Sequence, residues 1–367
     1  MSVYSDLGVR PVLNAWGTVT RVGGSRMDPA VLAAMEDAAR SFVDMGELHE
    51  AASAEVARLL GAEAACITCG AAAGLAIAAA ACMAGSDPAA ILRLPQAAGL
   101  REEVVVLKSH RILYDQAVLL AGARFVEVGV TSAAGIEQVL AAITDRTAMV
   151  LYVAEAIPLR GSLPLRQITA ALRGTGVPVV VDAAAELPPM SNLRAFLDDG
   201  ADLVVFSGGK ELRGPQSSGV ILGRPDLIAA CAANAFPNYG IGRAMKTDKE
   251  TIAGLVTAVR LFVARDEDAD QRRWEAMVAQ LVDALSAHPG CTVRRGFPVE
   301  PGVQPASIPR VYLRPARGTA EQLLAGLRAG EPSVIASVSG DELVLNPQCL
   351  ADDEVAQVAG AVLSLLG

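Results

Sequence analysis

The 367-residue chain carries 31 basic and 40 acidic side chains, a formal charge of −9, with 52% hydrophobic and 19% charged residues. An acidic chain without a basic run is a poor fit to nucleic acid or to an anionic membrane surface, and its length calls for two domains, or one large domain with a smaller lobe. The apolar content is Ala and Val more than aromatic, which suits a parallel sheet covered by helices.

The N-terminal stretch MSVYSDLGVRPVLNAWGT lacks the basic region and apolar core of a secretion signal. The first 45 residues read as a surface segment that joins the smaller lobe. From there strands are expected at 64–69, 104–109, 124–129, 147–153, 177–182, 201–206 and 217–222. Helical spacing lies between most of them, at 70–84, 114–122, 134–143 and 165–174. This alternation predicts a mostly parallel, seven-stranded α/β sheet with crossovers on both faces and an antiparallel last pair. The apolar run 71–84 is too short to span a bilayer and reads as a buried helix.

After about residue 250 the pattern changes. One long helix is expected over 249–286, then short strands at 291–296, 308–314, 333–339 and 342–346, and a last helix at 351–366. The expected division is 1–45, 46–250 as the large domain, and 251–367 as a small α+β lobe. Six cysteines (66, 69, 82, 231, 291, 349) sit among apolar residues, as reduced thiols of a cytoplasmic protein would. Cys66 and Cys69 form a C-x-x-C, but no second pair and no nearby histidine completes a metal site, so no metal is expected.

Four features fall at the carboxyl ends of expected strands, where open α/β sheets bind ligands. Gly70, Ala71 and Ala72 join a strand to a helix, a junction whose free N–H groups suit a phosphate. Asp182 ends the run VPVVV, a position that could equally be a helix cap. Lys210 follows FSGG, 28 residues later, with Ser207 beside it. His110 follows VVVLKS, and a lone histidine is more often structural than functional. Together the four match the needs of pyridoxal 5'-phosphate. The lysine amine forms the Schiff base, and the aspartate holds the pyridine nitrogen protonated. The helix start takes the phosphate with Ser207, and a flat side chain such as His110 stacks on the ring.

At these residues the sequence resembles the fold-type-I pyridoxal-phosphate enzymes, and within them the selenocysteine synthase-like group that includes glucosaminate-6-phosphate ammonia-lyases. The resemblance runs from about residue 5 to 365. Its segments are LNAWGTVTRVGGSRMDPAVLAAM (13–35), CITCGAAAGLAIAAAACMAG (66–85), VVVDAAAELPP (179–189), FSGGKELRGPQSSGVILGR (206–224) and YGIGRAMKTDKETIAGLVTAV (239–259). It implies Lys210 as Schiff-base lysine and base at the α-carbon, and Asp182 as partner of the pyridine nitrogen. Gly70, Ala71, Ala72 and Ser207 are implied at the phosphate, His110 on the ring, and Thr18, Arg21, Arg243 and Lys246 toward the substrate. Arg243, Lys246 and Lys249 crowd a helix start, where cations oppose the helix dipole unless an anion lies between them.

Two departures shape the expected activity. The N-x-x-G-T block starts at Asn14, so the tRNA domain of selenocysteine synthases is not expected before it, and the acidic charge also argues against selenium transfer. Relatives carry arginines where this chain has Ser337 and Gln348, so Arg21 or Arg243 is expected to take the substrate carboxylate. The resemblance therefore implies a cytoplasmic lyase acting on an amino acid or amino sugar acid by α,β-elimination, giving a keto acid and ammonia. A racemase or epimerase, with Tyr114, Glu155 or His110 as a second acid–base group, and a retro-aldol enzyme are the alternatives; a selenium transferase or a non-catalytic homologue fits less well. A homodimer or larger homo-oligomer is expected, with residues 216–219 facing the partner's cofactor.

Overall fold

The computed structural model describes residues 3–155 and 161–366. Its strands are β1 (Val12–Asn14), β2 (Ala64–Thr68), β3 (Glu103–Leu107), β4 (Arg124–Val128), β5 (Thr147–Val153), β6 (Val179–Asp182), β7 (Leu203–Ser207), β8 (Gly219–Gly223), β9 (Cys291–Gly296), β10 (Arg310–Pro315), β11 (Ser333–Ile335), β12 (Ser337–Ser339) and β13 (Glu342–Leu345). The chain divides into two compact units, one of residues 27–265 and one of residues 1–26 with 266–367.

In the larger unit seven strands form one sheet in the order β2-β8-β7-β6-β5-β3-β4. Pairs β3–β4, β3–β5, β5–β6 and β6–β7 are parallel, while β8 is antiparallel to both β7 and β2. Side chains alternate between faces along a strand, and here the alternation sorts them into two cores. Val105, Leu107, Val179, Val181, Val204 and Phe206 enter one. Val104, Val106, Val180, Leu203 and Val205 enter the other. With both faces covered, the strands need no polar face, which is why they read as unbroken apolar runs. The helix Ala71–Ala84 lies in the second core and is buried from Gly74 to Ala81. No helix among the described residues is long and apolar enough to cross a membrane.

The segment before residue 45 differs from expectation. The helix Pro29–Ala39 starts on Asp28, whose side chain accepts from the Ala30 N–H at 2.8 Å. It belongs to the larger unit and packs on the helix Lys249–Val263, whose Lys249 Nζ donates to the Ala38 carbonyl at 2.8 Å. Lys249 is thereby a tie between two helices. The expected single helix over 249–286 is two, Lys249–Val263 and Glu267–Ser286. Asp266 causes the break, because its carboxylate accepts from the Ala269 N–H at 3.0 Å and caps the second helix. The run of acids around it hid that cap in the sequence.

The smaller unit has a four-stranded antiparallel sheet, β12-β13-β10-β9, and a separate parallel pair, β1 with β11. The helices Glu267–Ser286, Ala320–Ala329 and Glu354–Leu366 supply its core with Trp274, Leu281, Leu327, Val358 and Val362.

Candidate active site

Asp182 is the last residue of β6, held between two parallel neighbours. The Ala154 N–H donates to its carbonyl at 2.9 Å, and the next residue, Ala183, donates its N–H to the Val205 carbonyl at 3.0 Å. The carboxylate accepts from the Ala184 N–H at 3.1 Å and is 7% exposed. Burial pushes this carboxyl above its ordinary range, while the Ala184 N–H and the Lys210 charge pull it down.

Lys210 stands three residues past the end of β7, in a loop folded back on itself. The Gly208 N–H donates to the Ser218 carbonyl, the Gly214 N–H to the Gly208 carbonyl, both at 2.8 Å, and the Arg213 N–H to the Lys210 carbonyl at 2.9 Å. A Cβ on Gly209 would lie 2.6 Å from the Gln216 Cα, so only glycine lets the two arms of the loop approach this closely. Burial pushes the Lys210 amine below its ordinary range, opposed by the carboxylates of Asp182 and then Glu186. A buried carboxylate at the end of β6 and a half-buried lysine just past the end of β7 thus lie in each other's field.

The third component comes from the strand pairings. Gly219 opens β8 opposite both Thr68 of β2 and Ser207 of β7. A Cβ on Gly219 would sit 2.6 Å from the Gly70 carbonyl carbon and 2.8 Å from the Ala71 nitrogen. The missing side chain lets β8 press against the start of the helix Ala71–Ala84, which brings Ser207 to the same end of the sheet. Gly70 caps that helix with no side chain, and the space a Cβ would take there is open to 4 Å. Ala71 is half-buried and Ala72 exposed, so the first N–H groups of the helix, which lack intrahelical partners, face an accessible space. Next to them Gln216 and Ser217 are exposed, whereas Ser218 and Gly219 are buried.

His110 departs from its expected use. A ring that stacks on a bound heterocycle must offer an open face, but His110 is 1% exposed and meets Tyr152 edge-on at 4.7 Å between centroids. Its Nδ1 accepts from the Val153 N–H at 3.2 Å, which leaves Nε2 to donate to Ser162 Oγ at 2.8 Å. The imidazole is neutral, with burial pushing its pKa from 6.5 down to about 4. Within this fold His110 braces the end of β5. Between pH 6.5 and 4 the unfolded chain takes up a proton that the folded chain refuses, so this contribution is complete above pH 6.5 and is lost as pH falls to 4. His110→Gln should flatten the loss of stability across that window by up to about 3 kcal/mol, read from urea unfolding at a series of pH values.

The candidates expected toward the substrate fall in both units. Arg243 is exposed, with its guanidinium 5.2 Å from the Phe236 ring centre and 5.9 Å from that of Tyr239. Lys246 is exposed on the same segment between helices. Thr18 and Arg21 belong to the smaller unit, Thr18 half-buried and Arg21 exposed on the turn Thr20–Val22. Ser337 is half-buried in β12, and Gln348 is buried beside Gly17. Tyr114 is exposed and Glu155 half-buried just beyond β5. The thiols of Cys66 and Cys69 are raised by burial, that of Cys66 to about 12, which is the reverse of a reactive pair.

Three residues near the site escaped the sequence reading. Glu186, four positions after Asp182, is 3% exposed and acts electrostatically on Lys210 and on Tyr152. Its charge inside the small-residue run AAAELPP was the available signal. Tyr152, edge-on to His110, and Ser162, hydrogen-bonded to it, gave none.

This arrangement of sheet, buried aspartate and half-buried lysine is that of the fold-type-I pyridoxal-phosphate enzymes. A solved structure of D-glucosaminate-6-phosphate ammonia-lyase matches it with a TM-score of 0.87 at 32% identity, covering 100% of this chain and 98% of that one. Sphingomonas wittichii serine palmitoyltransferase matches with a TM-score of 0.59 at 15% identity, over 96% of this chain and 86% of that one, a likeness of fold alone. The profile of the L-seryl-tRNA selenium transferase (SelA) family matches residues 12–290, and the chain belongs to that family. Among curated relatives, a 5'-C-glycyluridine monooxygenase-decarboxylase from a Streptomyces species is 37% identical, over 99% of this chain and 92% of its own length. The D-glucosaminate-6-phosphate ammonia lyase of Salmonella typhimurium is 34% identical, over 97% and 96%. The L-seryl-tRNA(Sec) selenium transferase of Moorella thermoacetica is 28% identical, over 99% and 84%.

Proposed function

We propose that this protein binds pyridoxal 5'-phosphate through Lys210 and eliminates across the α,β-bond of an amino acid or amino sugar acid, releasing a keto acid and ammonia. The carrying observation is the buried Asp182 carboxylate at the end of β6 and the half-buried Lys210 just past the end of the adjacent parallel β7, each in the field of the other. The residues fit the cofactor. Burial favours the neutral amine, the nucleophilic form that condenses with an aldehyde. Burial also makes an uncompensated Asp182 charge costly, a cost that a protonated pyridine nitrogen offsets. The open turn at Gly70, with the N–H groups of Ala71 and Ala72 and the hydroxyl of Ser207, suits the phosphate.

The bound cofactor supplies an electron sink for the pair released at the substrate α-carbon. The chain's own part is to hold and move protons. Lys210 Nζ takes the α-proton, and Asp182 keeps its negative charge throughout. The β-hydroxyl leaves as water, and the nitrogen departs as ammonia after hydrolysis, so the substrate loses ammonia overall with no oxidant. Arg243, Lys246, Thr18 and Arg21 are proposed toward the substrate's acidic groups. Exposed Phe42, Leu113 and Tyr239 support assembly into a homodimer or larger homo-oligomer, with residues 216–219 toward the partner's cofactor.

The 34% identical ammonia lyase and the solved ammonia-lyase structure that matches with a TM-score of 0.87 favour elimination. The 37% identical monooxygenase-decarboxylase favours a second reading, loss of the α-carboxylate with oxygen as co-reactant. Incubating the cofactor-loaded protein with D- and L-hydroxyamino acids, their phosphates and a glycyl nucleoside separates the two. Elimination releases ammonia and keto acid without oxygen uptake. Carbon dioxide release tied to oxygen uptake selects the second reading, and solvent-deuterium exchange alone points to a racemase.

A further inference from the structure

We propose that Glu211 is a positioning residue of this site, a buried carboxylate that, clamped by Arg265, fixes the backbone from which Lys210 projects. This rests on the function proposed above. Glu211 follows Lys210 directly in the chain and is 3% exposed. Arg265 Nη1 donates to Glu211 Oε1 at 3.0 Å, and the same nitrogen donates to the Glu211 carbonyl at 3.4 Å. One guanidinium therefore holds both the side chain and the peptide unit of the residue beside the lysine. Arg213 Nη2 lies 3.6 Å from the same Oε1.

Burial separates this clamp from an ordinary surface ion pair. Exposed pairs contribute little, whereas a carboxylate taken out of water must be matched by charge and hydrogen bonds, which fixes its geometry. The backbone gives a second sign of constraint. Arg213 has φ +54°, the single non-glycine residue with positive φ among the described residues, and its N–H closes the turn onto the Lys210 carbonyl at 2.9 Å. A left-handed arginine persists only where its surroundings hold it, and the Glu211 carboxylate supplies such a hold. The far end of the clamp is equally anchored. The Arg265 N–H donates to the Phe262 carbonyl at 3.2 Å, and Arg265 is the last residue of the larger unit, next to the Asp266 that caps the following helix. Lys210 must place its nitrogen within bonding reach of a cofactor aldehyde and then of a substrate proton, and small misplacements of such a group are costly. Glu211 supplies that placement through the backbone it shares with the lysine.

The test uses Glu211→Gln, Arg265→Gln and the double variant, which leaves neither charge of the pair behind if a single variant folds poorly. Pyridoxal 5'-phosphate is mixed with the cofactor-free full-length chain, and the rate at which the lysine–cofactor absorption band forms is followed. Each single variant should form it about tenfold more slowly, and the double variant no more slowly than either, because both changes remove one contact. Arg265→Lys keeps the charge and should recover part of the rate. Amide hydrogen exchange in residues 208–214 should quicken in step. A folded double variant with the wild-type rate overturns the proposal, as do single effects that multiply in the double. Faster exchange with an unchanged rate reduces Glu211 to a structural tie and also overturns it. A wild-type protein that forms no such band overturns the proposed function instead, and the exchange measurement still shows whether Glu211 holds the backbone at residue 210.

Discussion

Lys210→Ala is expected to fold, to lose every trace of covalently held pyridoxal phosphate, and to lose turnover by at least about 10³-fold. Folding should survive because the loop is held by backbone hydrogen bonds at Gly208, Gly214 and Arg213, none of which uses the lysine side chain. Removing the amine leaves the buried Asp182 charge with less compensation, so the cofactor-free variant should be folded but somewhat less stable than the parent. The check is borohydride reduction followed by peptide mass mapping. The parent should carry the cofactor mass on the peptide containing residue 210, and the variant on none. A cofactor mass on another lysine sinks the assignment of residue 210.

Asp182→Asn should be the next most damaging change, lowering turnover by about 10² to 10³-fold, a loss of roughly 3–4 kcal/mol of transition-state stabilisation. The amide oxygen can still accept from the Ala184 N–H, and the ladder contacts at Ala154 and Ala183 are backbone ones, so the fold should persist. What disappears is the negative charge, and with it the means of keeping the heterocycle protonated. Steady-state rates beside the thermal midpoint make the comparison. A variant with parental turnover would show that Asp182 is a structural cap and not a partner of the cofactor.

Much of the site was legible before the fold was known. Asp182 and Lys210 follow apolar runs whose lengths mark buried strands, and in an open α/β sheet the ends of such runs converge on one edge. Gly70 with its two alanines announced a strand-to-helix turn in the same way. The histidine was misjudged because its position after β3 says nothing about which way the ring points. The structure turns it inward against Tyr152, with both nitrogens engaged. Glu186 was passed over because a charge in a small-residue turn reads as solvated until burial is known.

The amino-acid sequence by itself determined the alternation of strands and helices in the seven-stranded sheet, and that an acid and an amine of complementary chemistry stand at the ends of two of those strands. These are local properties, set by apolar period, by turn residues and by the reactivity of single side chains. Only the tertiary structure decided the neighbours. β8 inserts antiparallel between β2 and β7 and so carries Gly219 against Gly70, the segment 27–44 joins the larger unit through the helix at 249–263, and Glu186 comes within the field of Lys210. Strand order and side-chain direction come from how all the apolar faces are buried at once, and no short window of sequence contains that information.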